Sequence, residues 1–466
     1  GDDDDTISGG AQAQAAGLAT ANNTNLAGVG ASAGNDDITA DGFNSGDDVV
    51  SGDAQALSTN GHAVATAVNG TDSVDGGASG NDAIWTGGYS EYGDLVAGDS
   101  MAKSENGTAT SYGDNNAYGS ATSGNDEITS EEGDDTISGG SLASAYGDAK
   151  AEQDNDAIKG GSAGNDVITA DYGDLDYDDV VAGDALAHSE SALADADALN
   201  TADEQGSTAG NDQIDAAEGE NTLAGDALAS SDYGTADAYG NNVANEGGSA
   251  GDDEIYGGSD NDTISGGVLA ASTGALASIW NKALSTLSLY TTAGNDVIDA
   301  EEGDDDVAGD AMAIGDGATA ESLNESDAIN DGSIALAGDD VIYGGAGNDE
   351  IAGDAASFGG DATATNAFAD EYGIASSGSD LILSDDDTVD GGNDTVAGDA
   401  MVVGDGDAAK ADNDAEAEDG GEAYAGDDGI YVYAGADKVA GDALANGAGS
   451  TAEADNDAKA TIGSNS

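Results

Sequence analysis

A three-residue tag returns through the whole chain: glycine, then asparagine, aspartate or serine, then aspartate. It begins at Gly34, Gly80, Gly124, Gly164, Gly210, Gly251, Gly294, Gly338, Gly378 and Gly426, at intervals of 40 to 48 residues. A self-similar period of that length marks a solenoid or repeat array, whose units bury their apolar faces only against one another. Two residues past the tag aspartate stands the same residue in every copy: Ile38, Ile84, Ile128, Ile168, Ile214, Ile255, Ile298, Ile342, Ile382 and Ile430. Ten identical β-branched residues at one phase read as inward positions of very short strands.

A second block follows each tag, nine residues on in the most regular copies. Gly124-Asn125-Asp126-Glu127-Ile128 is followed by Gly133-Asp134-Asp135-Thr136-Ile137-Ser138-Gly139-Gly140. The aliphatic position of this block holds Ile7, Val50, Val96, Ile137, Val181, Leu223, Ile264, Val307, Ile351, Val396 and Val439. A leading half repeat, 1–33, and repeats starting near 34, 80, 124, 164, 210, 251, 294, 338, 378 and 426 make one continuous array over 1–466.

Between one pair of blocks and the next lies a longer segment in which alanine alternates with polar residues, as in Ala192-Leu193-Ala194-Asp195-Ala196-Asp197-Ala198. Period two is the strand period. Alanine at inward positions suits two sheets packed close together, or a narrow corner. Some segments end in a degenerate third block, such as Asp156-Ala157-Ile158-Lys159-Gly160-Gly161. One repeat is thus either one large coil of four strands or two smaller coils, and at about 4.8 Å per stacked strand the rod is roughly 50 or roughly 100 Å long. Residues 268–291 break the pattern. Leu276, Ile279, Trp280, Leu284, Leu287, Leu289 and Tyr290 have helix-like spacing, which predicts a helical excursion, either packed on the flank of the array or offering a docking surface to a partner or a neighbouring copy.

Composition excludes much else. With 96 acidic and 7 basic residues the formal charge is -89, so nucleic acid and anionic membrane surfaces are poor partners. Zero cysteine removes disulfides, thiol nucleophiles and zinc–thiolate sites together. No apolar run reaches the length of a membrane span. Low hydrophobicity with high charge ordinarily signals disorder, but a chain without proline and with aliphatic residues in strict register is ordered. It opens on Gly1-Asp2-Asp3-Asp4-Asp5, in mid-repeat, so no leader peptide is expected here.

The nonapeptide Gly-x-Asp-x-aliphatic-x-Gly-Gly/Asp-x resembles the repeat-in-toxin (RTX) calcium-binding family. The resemblance implies an all-β fold, a parallel β-solenoid stacked on calcium-bound turns, in a protein secreted by a bacterium and folding outside the cell. It implies that the block aspartates are calcium ligands. In the first block these are Asp36, Asp82, Asp126, Asp166, Asp212, Asp253, Asp296, Asp340, Asp380 and Asp428. In the second they are Asp5, Asp48, Asp94, Asp135, Asp179, Asp262, Asp305, Asp349, Asp394 and Asp437, with Asn221 in the remaining copy. Calcium takes six to eight oxygens and tolerates irregular geometry, which glycine-rich turns with stacked aspartates supply. The simple member of the family has no long alanine segment. Here, too, an acid often replaces its second glycine, at Asp53, Asp99, Asp184, Asp226, Asp310, Asp354, Asp399 and Asp442; this acid either adds a ligand or faces water.

His62 and His188 stand in variable segments without a repeated partner, and no unique constellation of nucleophile and base rises above the repeat, so no enzyme is expected. The function expected is a calcium-dependent extracellular structural element: a rod, filament subunit, surface-layer component or adhesin stalk. Its partners would be further copies, end to end or side by side, or flanking repeats of a longer chain. The alternative is a calcium-dependent binding module for polysaccharide, mineral or ice. Against ice, the position after the inward isoleucine is no uniform ladder: Thr39, Trp85, Thr129, Thr169, Asp215, Tyr256, Asp299, Tyr343, Leu383 and Tyr431.

Overall fold

The computed structural model describes residues 6–28, 31–41, 48–71, 77–87, 94–130, 133–170, 177–217, 219–285, 289–330, 333–370, 374–383, 393–403, 407–417, 422–426, 428–431, 438–448 and 450–460. Among the described residues the chain makes one coil per repeat, with five strands in every coil but the last, which has three. In the fourth coil these are Thr136–Ser138, Ser141–Ala145, Ala149–Ile158, Ser162–Ala163 and Val167–Ala170. Every strand pairs in parallel with its counterparts in the neighbouring coils, which builds five sheets. Numbered in the order of those five strands, sheets 1, 2 and 3 have eleven strands among the described residues, and sheets 4 and 5 have ten. We number the coils 1 to 11 by their sheet 1 strands, from Thr6–Ser8 to Lys438–Ala440. One coil per repeat at about 4.8 Å gives a stack of about 50 Å, so the shorter of the two expected rods is the right one, with a fifth strand that the sequence did not separate.

Register is fixed by the interior. Ile38, Ile84, Ile128, Ile168, Ile214 and Ile255 stand directly above one another in sheet 5. They pack against the aliphatic column of sheet 1, Val50, Val96, Ile137, Val181, Leu223 and Ile264. Shifting one strand by one residue would turn its inward residue to solvent, which locks the stack. Sheets 2 and 3 close on each other mainly through alanine: Ala143, Ala145, Ala149 and Ala151 pack in one cluster, and alanine recurs at the position of Ala143 as Ala56, Ala102, Ala187 and Ala229. The alanine segments are therefore the strands of sheet 3, broad and alternately buried, as in Leu193–Asp203.

The expected helix at 268–291 is not one. The segment forms Val268–Ala271, Leu276–Ser285 and Tyr290–Ala293, the sheet 2, 3 and 4 strands of coil 7, in register with their neighbours. Ile279 points inward and is buried, while Trp280 is exposed. Apolar residues on both faces of a strand had imitated a helical period. Leu287 lies outside the described residues.

Candidate metal centre

Two turns of each coil meet inside the cross-section. The first is the tag turn, which leads from sheet 4 into sheet 5. Its glycine is left-handed, with φ of 56° at Gly124, Gly164 and Gly210, a conformation that costs other residues energy. A Cβ on Gly210 would also lie 2.2 Å from Asn200 Cγ. The tag aspartate that follows is buried and points to the coil before it. The backbone N–H of Asp126 donates to Asp166 Oδ1 at 2.7 Å, that of Asp166 to Asp212 Oδ1 at 2.7 Å, and that of Asp212 to Asp253 Oδ1 at 2.7 Å. The same bond joins Asp36 to Asp82, Asp82 to Asp126, Asp253 to Asp296, Asp296 to Asp340, Asp340 to Asp380 and Asp380 to Asp428. The other oxygen, Oδ2, of Asp82, Asp126, Asp166, Asp212, Asp253, Asp296, Asp340 and Asp380 is buried and accepts no hydrogen bond.

The second turn joins sheets 1 and 2. Its glycine has no room for a side chain: a Cβ on Gly183 would lie 2.1 Å from Asp212 Oδ2 and 2.0 Å from the carbonyl oxygen of Gly225. Orphaned carboxylate oxygens thus sit against glycine backbone and its carbonyls. The residue after this glycine is the acid whose direction the sequence left open. Asp53, Asp99, Asp184, Asp226, Asp310, Asp354 and Asp399 are fully buried, so it faces inward. Carboxylates of the two turns converge in triads, with ligand atoms within 4.8 Å of one another: Asp36, Asp53 and Asp82; Asp166, Asp184 and Asp212; Asp296, Asp310 and Asp340; Asp399, Asp428 and Asp442.

An asparagine ladder in sheet 3 orients these inner acids. Asn25, Asn69, Asn115, Asn155, Asn200, Asn242, Asn281, Asn324, Asn366 and Asn413 each donate to, or accept from, the asparagine of the adjoining coil at 3.0 to 3.2 Å. Asp184 accepts from Asn155 Nδ2 at 2.7 Å on Oδ1 and from Asn200 Nδ2 at 2.8 Å on Oδ2. Asp226 is held the same way by Asn200 and Asn242. Donors on both oxygens favour the ionised carboxylate. Burial acts the other way and prevails: it pushes Asp184 up to about 7 and Asp99 up to about 8, and it holds Asp166, Asp212 and Asp340 well above the usual carboxylate range.

The second-block aspartates form their own ladder. The N–H of Asp48 donates to Asp94 Oδ1, then Asp94 to Asp135, Asp135 to Asp179, Asp179 to Asn221, Asn221 to Asp262, Asp262 to Asp305, Asp305 to Asp349 and Asp349 to Asp394. Asn221 fits because the amide oxygen replaces the acceptor. Asp262, Asp305 and Asp349 also keep an orphaned Oδ2. Asp5 and Asp437 lie outside the described residues. His62 and His188 bond to Thr108 and Ser230 and touch neither ladder.

A buried anion requires a counter-charge or a proton. None of the lysines with described side chains is buried; Lys150 and Lys282, for instance, pair at the surface with Asp195 and Glu325. What remains for the interior is a proton or a cation held by oxygen alone. Orphaned carboxylate oxygens beside glycine carbonyls fit a hard divalent ion with irregular coordination, which is calcium chemistry.

The fold and these turns define a parallel β-solenoid with carboxylate-lined interior turns. The family model described as RTX calcium-binding nonapeptide repeat (4 copies) matches residues 111–142, 207–228, 248–268, 288–311 and 330–357, so the chain carries repeats of the RTX calcium-binding family. No curated protein and no solved structure was found to match it. Among the described residues no helix is long and apolar enough to cross a membrane.

Proposed function

We propose that this chain is a calcium-dependent extracellular structural β-solenoid, a stiff segment of a rod, filament, surface layer or adhesin stalk. The observation that carries this is the buried tag ladder, whose Oδ2 atoms lack any partner from Asp82 to Asp380. A column of unneutralised carboxylates about 5 Å apart opposes stacking, so each ion bound between coils is folding free energy. RTX repeats are typical of secreted bacterial proteins, and millimolar calcium outside the cell would supply the ion where the chain is to fold. The exposed sheets are parallel and continuous, which supports lateral or end-to-end contact with further copies or flanking repeats as the partners.

A second reading rests on the outward row of sheet 5. Trp85, Tyr343 and Tyr431 stand exposed in one register column, which supports contact with a surface polysaccharide.

Calcium titration of metal-stripped protein tests the main proposal, with far-UV circular dichroism and hydrodynamic radius followed together. Cooperative gain of β signal with contraction at sub-millimolar to millimolar calcium is expected. A chain equally folded in excess chelator would remove calcium from its folding.

A further inference from the structure

Three coils lack the inner acid, and each compensates in the same way. The turn between sheets 1 and 2 reads Gly-Asp in most coils but Gly9-Gly10 in coil 1, Gly139-Gly140 in coil 4 and Gly266-Gly267 in coil 7. Two residues before the ladder asparagine, most coils carry a small residue: Ala67, Gly113, Ala198, Gly240, Ser322, Ala364, Ala411 and Ala454. In coils 1, 4 and 7 that position holds Asn23, Gln153 and Ile279.

The two positions share one volume. A Cβ on Gly10 would lie 2.4 Å from Asn23 Nδ2, one on Gly140 2.6 Å from Gln153 Cδ, and one on Gly267 2.3 Å from Ile279 Cδ1. The preceding coil makes room as well. Gly113 is paired with Gln153 and Gly240 with Ile279, and a Cβ on Gly113 would lie 1.8 Å from Gln153 Oε1. In coil 4 the amide also stands in for a positive partner, since Gln153 Nε2 donates to Asp99 Oδ2 at 2.8 Å.

We infer that the inner acid closes an interior divalent-cation site between the tag aspartate of its own coil and that of the coil before, and that coils 4 and 7 hold no such ion because their own side chains fill the place. This rests on the calcium reading and adds a ligand set to it. Coil 5 is the clearest case. Asp184 lies with Asp166 and Asp212 in a triad whose carboxylate atoms are within 4.8 Å, and Asp166 Oδ2 and Asp212 Oδ2 are buried without a hydrogen-bond partner. Charge agrees with occupancy. At these two turns a coil with a tag aspartate and an inner acid contributes two negative charges, which one divalent ion neutralises, whereas coil 4, with Gly140 in place of the acid, contributes one; the second-block aspartates, such as Asp135 and Asp179, lie in their own ladder. Two coils with two different fillers, one polar and one aliphatic, show that the filler's volume is the shared requirement.

The test counts and locates ions in the folded, calcium-loaded full chain. Native mass spectrometry of Asp184→Asn should show one calcium ion fewer than wild type, and Gly140→Asp combined with Gln153→Ala should show one more. Anomalous scattering from crystals of the wild-type chain grown in calcium needs no variant. It should place a peak among Asp166, Asp184 and Asp212 and none beside Gly140. An ion at coil 4, no ion at coil 5, or unchanged counts in both variants would overturn the inference while leaving calcium-dependent folding intact. If the wild-type chain folds without calcium, it is the broader proposal that fails.

Discussion

The backbone N–H of Asp166 donates to the Oδ1 of Asp212, one coil further on, at 2.7 Å. The carboxylate therefore has two separable duties, one oxygen serving the backbone of its neighbour and the other left for a cation. Asp212→Asn keeps the acceptor and loses the charge, as Asn221 does naturally in the other ladder. Its expected effect is weaker calcium binding with the fold retained at saturating calcium. Asp212→Ala strands a buried N–H as well, which costs about 1–3 kcal/mol more. Denaturation midpoints of the two variants in saturating calcium check this, and equal midpoints would refute the division of labour.

Asn200 serves two acids, Asp184 and Asp226, besides the next asparagine. Removing it by Asn200→Ala leaves two buried carboxylates short of a donor, with an expected loss of about 3 kcal/mol or more. Gly210→Ala should also be severe, because its Cβ would press on the Asn200 side chain from a left-handed backbone. A surface change in the same sheet, Glu321→Gln, should stay within about 0.5 kcal/mol. Urea unfolding in calcium separates the three.

In chelator, acid should replace calcium. Asp184 and Asp99 sit at about 7 and about 8 in the folded chain, above the ordinary 3.8. Between those values the folded state holds more protons than the unfolded, so metal-free stability falls as pH rises from about 4 to about 8. Lowering the pH of stripped protein from 8 to 5 should restore β signal, whereas in calcium the same change should weaken ion binding. Circular dichroism with and without chelator reads both arms; a stripped chain equally unfolded at both values would count against protonation of the interior acids.

Gly267 and Ile279 should be energetically coupled. Gly267→Ala alone drives a methyl into Ile279 Cδ1, and Ile279→Ala alone leaves a cavity that costs about 2–5 kcal/mol. Together they should cost less than their sum by about 1 kcal/mol or more, the sign of one shared volume. Additive losses in a double-mutant cycle would show that the two sites act independently.

The tag isoleucine and tag aspartate were legible because they sit a fixed distance from a glycine that must be left-handed. The asparagine ladder is just as regular in space and was invisible in the sequence. Asn115 precedes its next tag glycine by 9 residues and Asn324 by 14, because the connection between sheets 3 and 4 varies in length. Counting from a motif fails across a variable loop, whereas parallel pairing restores the register. Coil 7 misled for a related reason: Ile279 could turn inward only because Gly267, twelve residues earlier, vacates the space, and that exchange cannot be seen along one strand. The inner acids were visible as a departure from the family pattern, but their direction depended on where the second turn folds.

One coil per repeat also sets how the rod would answer a pull along its axis. Each coil adds about 4.8 Å to the stack but stores about 44 residues, an extended length of about 150 Å. Force along the axis strains the ladders between coils rather than along the strands, so coils would peel away singly. Each release would lengthen the tether about thirtyfold over the height it gave up, so the stack would yield in steps.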